Sequence, residues 1–224
     1  MRERPGADLA RLAGQVRAAF VDQIAPVFDT LAGAIEAHLN ALSDKVAPLT
    51  VMQKRRDEAV QFAQCRKAWV EGLRKSWTAP LPRADAPAAG PAADLSLIDD
   101  EAVENRILAS RLSMLVEDAA GGVLRDLRLR MRALEPEHEL DSRDVLHPER
   151  LAGLLVEGWM NAGLSRPMWI DLVPVIRPLL LDAVVRAYRA IDQRLETLGV
   201  AARAEARPVA PRTGAGLPAP REPG

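Results

Sequence analysis

The chain has 224 residues, carries 30 basic and 31 acidic side chains, and is only 4% aromatic. Its formal net charge of -1 gives no overall field to draw it onto nucleic acid or an anionic membrane, which disfavours both as partners. Alanine, leucine, arginine and glutamate, all strong helix formers, dominate the composition and predict an all-α protein.

Cysteine content and hydropathy indicate a cytoplasmic protein. Cys65 is the one cysteine, so no disulfide can form within the chain and the fold does not depend on oxidation. No apolar run approaches the roughly 18 residues that a membrane span needs, and residues 1–6 lack the apolar centre of a signal peptide. We therefore expect a cytoplasmic chain without a membrane span.

The first predicted helix covers residues 8–45. Asp8 is the expected N-cap, and Pro26 should kink the helix or divide it, because proline lacks the N–H that a helix interior needs. The apolar residues recur every three or four positions and so share one face. They are Leu9, Leu12, Val16, Phe20, Ile24, Phe28, Leu31, Ile35, Leu39, Leu42 and Val46.

A second helix is predicted over residues 51–77, with Thr50 as its N-cap. Trp69 and Trp77 fall on its apolar stripe and are expected in the core. We predict that the two helices form a long antiparallel hairpin within residues 1–78. Its apolar surface must then pair with the rest of the chain or with another copy.

Two proline-rich segments interrupt the helical pattern. Residues 79–94 contain four prolines and predict a linker, and residues 201–224 contain five and predict a disordered tail. Between them, residues 95–200 are predicted to form a domain of three further helices. The predicted fold is therefore a helical bundle with a linker between its two parts.

The third helix is expected to begin at Asp99 or Asp100 and to contain Gly121 and Gly122 in its middle. Two interior glycines cost roughly 2 kcal/mol relative to two alanines, so we expect either a bend there or the close approach of another backbone. The predicted apolar stripe has helical spacing. It consists of Val103, Ile107, Leu108, Leu112, Leu115, Val116, Ala119, Val123, Leu124, Leu127, Met131 and Leu134.

The fourth helix is predicted to open at His147–Pro148, because proline is favoured at the first helical position, and to end at Gly163. Trp159 lies on the apolar stripe of this helix. Its helical spacing from the leucines of that stripe predicts that it is buried between helices and serves packing.

The start of the fifth helix is hard to place, because three prolines crowd it: Pro167, Pro174 and Pro178. We expect the regular helix to begin near Val173 or Arg177, since interior proline breaks a helix. Gly199 is the expected residue just past its C-terminal end.

Several segments resemble a bacterial protein family, domain-of-unknown-function family 1631. The resemblance is carried by residues 95–112, which include Leu-Ile-Asp-Asp-Glu at 97–101, and by residues 146–159 and 175–195. It extends over residues 8 to 200 and corresponds to the N-terminal part of longer family members. Because the family has no established activity, the resemblance implies an organisation and no mechanism.

The residues that most often carry chemistry do not form a recognisable site, and no catalytic residue, cofactor-binding residue or metal ligand is predicted. His38, His138 and His147 lack a second ligand three or four residues away, so no zinc site is expected. Cys65 adjoins Arg66, which favours the thiolate, but no base or orienting group accompanies it. We expect it to serve packing.

Charged segments are similarly read as structural. Asp99, Asp100, Glu101 and Glu104 suit the first turn of a helix, where carboxylates complement the dipole. The helix over 51–77 carries a local charge of about +4, and residues 99–118 carry about -4, so complementary faces within the protein explain these charges as well as an external partner would. Glycine-rich phosphate-binding motifs are absent from the sequence.

These observations favour a non-enzymatic interaction, scaffold or regulatory module that binds a protein partner or self-associates through amphipathic helices. One alternative is an enzyme or ligand-binding bundle whose site is assembled from residues distant in the sequence. Another is a nucleic-acid-associated regulator that uses the basic helix over 51–77.

Overall fold

The computed structural model describes residues 5–79, 100–136 and 140–202. All regular secondary structure in these ranges is helical, which confirms the all-α prediction. Within these ranges six helices follow one another: α1 (Pro5–Ile24), α2 (Val27–Ser43), α3 (Leu49–Thr78), α4 (Asp100–Leu134), α5 (Pro148–Asn161) and α6 (Arg166–Thr197).

Most of the predicted linker and of the predicted tail lies outside the described residues, which leave out 80–99 and 203–224. The predictions made for residues 79–94 and 201–224 therefore stay predictions.

Pro26 divides the predicted first helix into α1 and α2. α1 ends at Ile24 and α2 begins at Val27, because proline has no N–H to donate and its ring obstructs the preceding turn. The predicted apolar face continues across the break, and its central residues are fully buried: Phe20, Ile24, Phe28, Leu31 and Ile35.

Three local predictions for this part of the chain are wrong. α1 begins at Pro5, before the predicted cap Asp8, because proline is well suited to the first turn of a helix. Thr50 lies inside α3 and does not cap it. Val46 was expected on the core stripe, but it is 96% exposed because α2 ends at Ser43 and the following loop turns it outward.

α2 and α3 form the long N-terminal hairpin that the sequence predicts. Residues 44–48 join them, and Asp29 near the start of α2 pairs with Arg74 near the end of α3. The two helices are therefore antiparallel. Trp69 and Trp77 face the core from α3, as predicted.

α4 continues without interruption through Gly121 and Gly122. Both glycines are exposed, and nothing lies within 4 Å of the point where a Cβ would stand on either, so the second of the two expected alternatives, the close approach of another backbone, is not found. Val103 and Ile107 of the predicted stripe are also exposed. They lie on the outer face of the helix, because Leu112 and neighbouring positions take the core-facing side.

α6 begins earlier than predicted, at Arg166 and not within residues 173–177. The Ser165 hydroxyl oxygen accepts a hydrogen bond from the backbone N–H of Met168 at 3.4 Å and so caps the helix. Pro167 occupies the first turn, where no N–H is required, and it favours a helix start there.

Pro174 and Pro178 lie inside α6, although interior proline costs a helix about 3 kcal/mol. Both prolines are exposed, as is Ile170, so the carbonyl groups that lose an N–H partner lie on the solvent side. The opposite side of the helix buries ten residues, and this burial keeps the segment helical. They are Met168, Trp169, Leu172, Ile176, Leu180, Val184, Ala187, Tyr188, Ile191 and Leu195.

An aromatic cluster occupies the middle of the core. Trp159 is fully buried, which confirms its predicted packing role, and its ring lies 5.8 Å from Phe62 and 5.4 Å from both Trp69 and Trp169 between centroids. The indole N–H of Trp159 donates to the backbone oxygen of Ser165 at 2.9 Å. The cluster joins α3, α5 and α6.

Helices from both sides of the predicted linker contribute to one core. α6 packs against α1, α2 and α4, and α3 packs against α5. A charged contact reinforces this, because Arg17 of α1 donates to Glu135 at 2.7 Å and to Asp144 at 2.8 Å. Burial alone would lower the pKa of Arg17, but these two carboxylates raise it.

Paired side chains show that α4 and α6 run parallel. Arg166 at the start of α6 binds Glu104 near the start of α4, and Arg130 near the end of α4 binds Asp192 near the end of α6 at 2.8 Å. Because both pairs are separated by 62 residues in the chain, the two helices advance together.

One stretch of the described chain, Asp8–Ser43, is long and apolar enough to cross a membrane by length and composition alone. Core helices pass the same test. In this protein the apolar face of the stretch, which includes Phe20 and Ile35, packs inside the bundle.

Candidate interaction groove

α5 packs against both α3 and α4 and lies between them. The side-chain amide of Gln61 donates to the backbone oxygen of Gly163 at 3.0 Å, and Arg150 donates to the backbone oxygen of Ser76 at 3.4 Å. These two contacts, at opposite ends of α5, show that α3 and α5 are antiparallel.

The approach of α3 to α5 is closest at Gly158. A Cβ placed on this glycine would stand 2.7 Å from Cδ2 of Leu73, which is shorter than a van der Waals contact. The absence of a side chain at residue 158 therefore allows α5 to sink between its neighbours.

The outer face of α5 is the floor of a groove of about 700 Å³, and α3 and α4 are its walls. We call this feature the α5 groove. On α3, three small residues recur every four positions and span about 12 Å of helix. The small residues that line the groove are Ala68, Gly72, Ser76, Ala102, Ala109, Ser142, Gly153, Gly158 and Ala162.

Three arginines line the α5 groove: Arg106, Arg143 and Arg150. None of the three guanidinium groups forms an ion pair within the described residues. Arg150 donates to Ser76, while its Nε is buried without an acceptor in this part of the chain. A guanidinium next to a concave surface without a carboxylate partner is a ready donor for an acidic group.

Two carboxylates, Glu149 and Glu157, line the same groove from α5. Neither forms an ion pair within the described ranges. The groove therefore presents charges of both signs that form no ion pair within the described residues. Such a surface complements a partner that carries both acidic and basic side chains.

The basic face of α3 is largely paired within the protein. Arg74 binds Asp29 and Arg66 lies 3.5 Å from Glu36, so α2 supplies the complementary acids. The sequence assigned this role to residues 99–118. That assignment is wrong for the described residues, because α5 lies between α3 and α4.

The histidines and the cysteine singled out from the sequence do not come together. His147 caps α5, as predicted: its Nδ1 accepts from the backbone N–H of Glu149 at 3.3 Å. His38 lines a small cavity between α2, α3 and α6, and Cys65 packs half-buried against the core. His138 lies outside the described residues.

The acidic residues at the start of α4 have a structural role where they are described. Glu104 binds Arg166, which ties α4 to α6, and Asp100 is the first residue of the helix. Asp99 lies outside the described residues. Within those residues, no group of three or more histidine, cysteine or carboxylate side chains is arranged to hold a metal ion.

Sequence reasoning missed the α5 groove and the burial of Trp169. The repeat of small residues at positions 68, 72 and 76 was the available signal, because it marks a strip of α3 that cannot contribute a large side chain to the core. The arginines gave no signal, since they come from α4, a loop and α5 and meet only after folding.

Residues 8–199 match a protein family described as "Protein of unknown function (DUF1631) N-terminal domain". No curated protein and no solved structure matches the chain. The match covers well over half of the 224 residues and includes all the segments whose resemblance was noted from the sequence. The chain therefore belongs to the DUF1631 family and contains its N-terminal domain.

Proposed function

We propose that this protein is a non-enzymatic interaction module of the cytoplasm that binds a segment of a partner polypeptide in the α5 groove. One observation carries the proposal: the groove has small residues on its walls and charges of both signs that have no ion-pair partner in the part of the chain that the structure describes. Small side chains let a partner backbone approach closely, and the charges fix its orientation.

The dimensions of the groove support a short helical partner. Its small-residue strip on α3 spans about 12 Å, which equals roughly two turns of helix. Three helices surround an open fourth position, and helices packed in this way lie 8–10 Å apart. Partner residues at i, i+4 and i+7 would face the groove, as in other helix-in-groove complexes.

A small anionic ligand is the second candidate, because Arg106, Arg143 and Arg150 all line the groove. Its volume of about 700 Å³ falls within the range of small-molecule sites. Nucleic acid is less well supported, since Arg66 and Arg74 of the basic helix already pair with acids of α2.

Photo-crosslinking in cells tests the proposal directly. A benzophenone amino acid replaces Gly153 on the groove floor, where a Cβ meets nothing within 4 Å. Gly14 of α1 is the matched control, because it is likewise helical and free of neighbours within 4 Å, and it is exposed on a surface away from the groove lining. We expect protein adducts from position 153 that are absent from position 14.

Mapping the adducts separates the candidate functions. Adduct peptides with helical spacing and charges of both signs support the module, and reversing Arg106 and Arg150 to glutamate should abolish them. Adducts restricted to nucleic acid, or identical adducts from positions 153 and 14, would show that the groove does not bind a polypeptide. Protection of the groove by small anions alone would favour the second candidate.

A further inference from the structure

The most exposed large apolar side chains in the described part of the chain lie where the turn between α2 and α3 leads into α3. Val46 is 96% exposed and Leu49 is 80% exposed. Single exposed aliphatic residues are common, but two at this degree of exposure in one turn form a protruding apolar tip. We call Val46 and Leu49 the apolar tip.

A small cavity of about 220 Å³ lies beside the apolar tip, between α2, α3 and α6. The tip is continuous with it in the chain, since Leu42 precedes the turn and Val51 follows it, and both line the cavity. Half of its ten lining residues are apolar: Leu39, Leu42, Val51, Met168 and Leu172. Apolar cavities of about 150 Å³ already accept a benzene-sized group, so this one has room for an aliphatic side chain.

The charges around the tip and the cavity balance. Asp44 and Lys45 lie in the turn beside Val46, and neither side chain has an ion-pair partner within the described residues. The cavity rim carries Lys54, Arg55, Glu58 and Asp171. A surface with equal numbers of acidic and basic groups does not attract anionic lipid or nucleic acid, both of which select a basic excess.

We infer that the apolar tip of one copy of this chain docks in the cavity of a second copy, and that the second copy accepts the tip of the first in return. Tip and cavity are neighbours, because Leu42 and Val51 of the cavity flank the tip in the chain, so a two-fold axis beside them brings each tip to the opposite cavity. The same arrangement places Asp44 and Lys45 of each turn near the rim charges of the other copy.

The contact is small, because it involves only one turn and the rim of one cavity on each side. It belongs to the low end of interface sizes, below about 1,200 Å² in total, where association is weak. We therefore expect dimerisation with a dissociation constant of about 10 µM to 1 mM. This surface lies apart from the α5 groove, and the two inferences stand independently.

Sedimentation equilibrium of the full chain, measured from about 10 µM to 1 mM, tests the inference. Leu49→Asp removes an apolar group twice in a two-fold interface, so the dimer should weaken at least about 100-fold. Val46→Asp gives a second, independent variant of the tip. Val60→Asp is the matched control, because Val60 is a 51% exposed valine of α3 that lines neither the tip nor the cavity, and it should dimerise like the original chain.

Mapping by photo-crosslinking completes the test. A benzophenone amino acid at position 49, in a mixture of isotopically labelled and unlabelled protein, should give mixed adducts with residues 38–42, 51–58 or 168–172 of the other copy. A chain that stays monomeric at 1 mM overturns the inference, and so does a dimer insensitive to both tip variants. Flotation with anionic vesicles that depends on Leu49, shown by a monomeric protein, would assign the tip to membranes instead.

Discussion

At the scale of single residues, Trp159 holds the aromatic cluster together. Its ring contacts aromatic side chains of α3 and α6, and its N–H donates to Ser165 in the turn between α5 and α6. Trp159→Ala should therefore cost roughly 3–5 kcal/mol of the free energy of unfolding, measured by chemical denaturation. This is a large part of the about 5–15 kcal/mol that typical domains have.

Glu157→Ala is the control for this measurement, because Glu157 is an exposed residue of the same helix and should change stability by no more than about 0.5 kcal/mol. An unchanged melting temperature for Trp159→Ala would contradict the packing role. Trp159 would then be assigned to an interface with a partner, where it would act as an anchor residue.

Tyr188, the one tyrosine of the chain, makes stability depend on alkaline pH. It is buried, stacks on Phe20 with 5.0 Å between ring centroids, and donates to the backbone oxygen of Leu146 at 2.8 Å. Burial raises the pKa of its phenol well above 10, mainly because the charged form would lose hydration. The folded protein therefore keeps the phenol neutral where the unfolded chain ionises it.

The sign of the pH effect follows from this raised pKa. The contribution of Tyr188 to the free energy of unfolding is fully present below pH 10. It is lost progressively as the pH rises above the pKa of the phenol in the unfolded chain. A Tyr188→Phe variant has no phenol to ionise and so does not lose stability in this way. The difference in the free energy of unfolding between the original protein and the variant should therefore shrink above pH 10. Parallel stability curves between pH 8 and about 11 would contradict the assignment.

At the scale of one element, α5 contains two glycines with opposite requirements. Gly158→Ala should destabilise the protein by about 1–3 kcal/mol, because the new methyl group meets Leu73 in a filled space. Gly153→Ala should stabilise it by up to about 1 kcal/mol, because the position is open and alanine favours the helix. Equal effects of the two substitutions in thermal denaturation would contradict the close packing of α3 on α5.

α6 shows where local reasoning about an element fails. Pro174 and Pro178 predict a late helix start, because each removes a backbone hydrogen bond. The prediction is wrong because the burial of residues such as Trp169 and Leu172 outweighs those losses. The helix ends, in contrast, were predictable: Gly163 and Gly199 both adopt φ of 78°, a conformation that glycine reaches without a Cβ clash.

At the scale of the whole molecule, the two parts of the chain depend on each other. α1 and α2 pack on α6, and α3 packs on α5, so each part leaves apolar surface uncovered when it is alone. Fragments 1–79 and 95–224 should therefore each unfold without a cooperative transition. Mixing them should restore cooperative unfolding, measured by circular dichroism at increasing temperature.

Two outcomes would count against a shared core. Cooperative unfolding of either fragment alone would show that the helices of that fragment fold independently. The second outcome is a mixture of the two fragments whose thermal unfolding curve equals the sum of the curves measured for each fragment alone. An added Trp159→Ala change in the longer fragment should weaken the reassociation, since Trp159 contacts Phe62 and Trp69 of the shorter one.

The candidate site was much less predictable than the fold. The six helices follow from apolar spacing and from proline and glycine positions, which act within a few residues of each other. Arg106, Arg143 and Arg150 are far apart in the chain and belong to three different elements. No local pattern connects them, so only the packing of α5 between α3 and α4 reveals that they line one groove.

The sequence by itself determined the helical class, most helix ends, and the burial of Trp69, Trp77 and Trp159, because periodic spacing and backbone preferences act locally. Tertiary structure alone decided which helix faces meet. It placed Ile107 outward, carried α6 through two prolines, and opened the groove over α5. The reason is that helix pairing depends on the total apolar area buried by segments distant in the chain, and this quantity has no local signature.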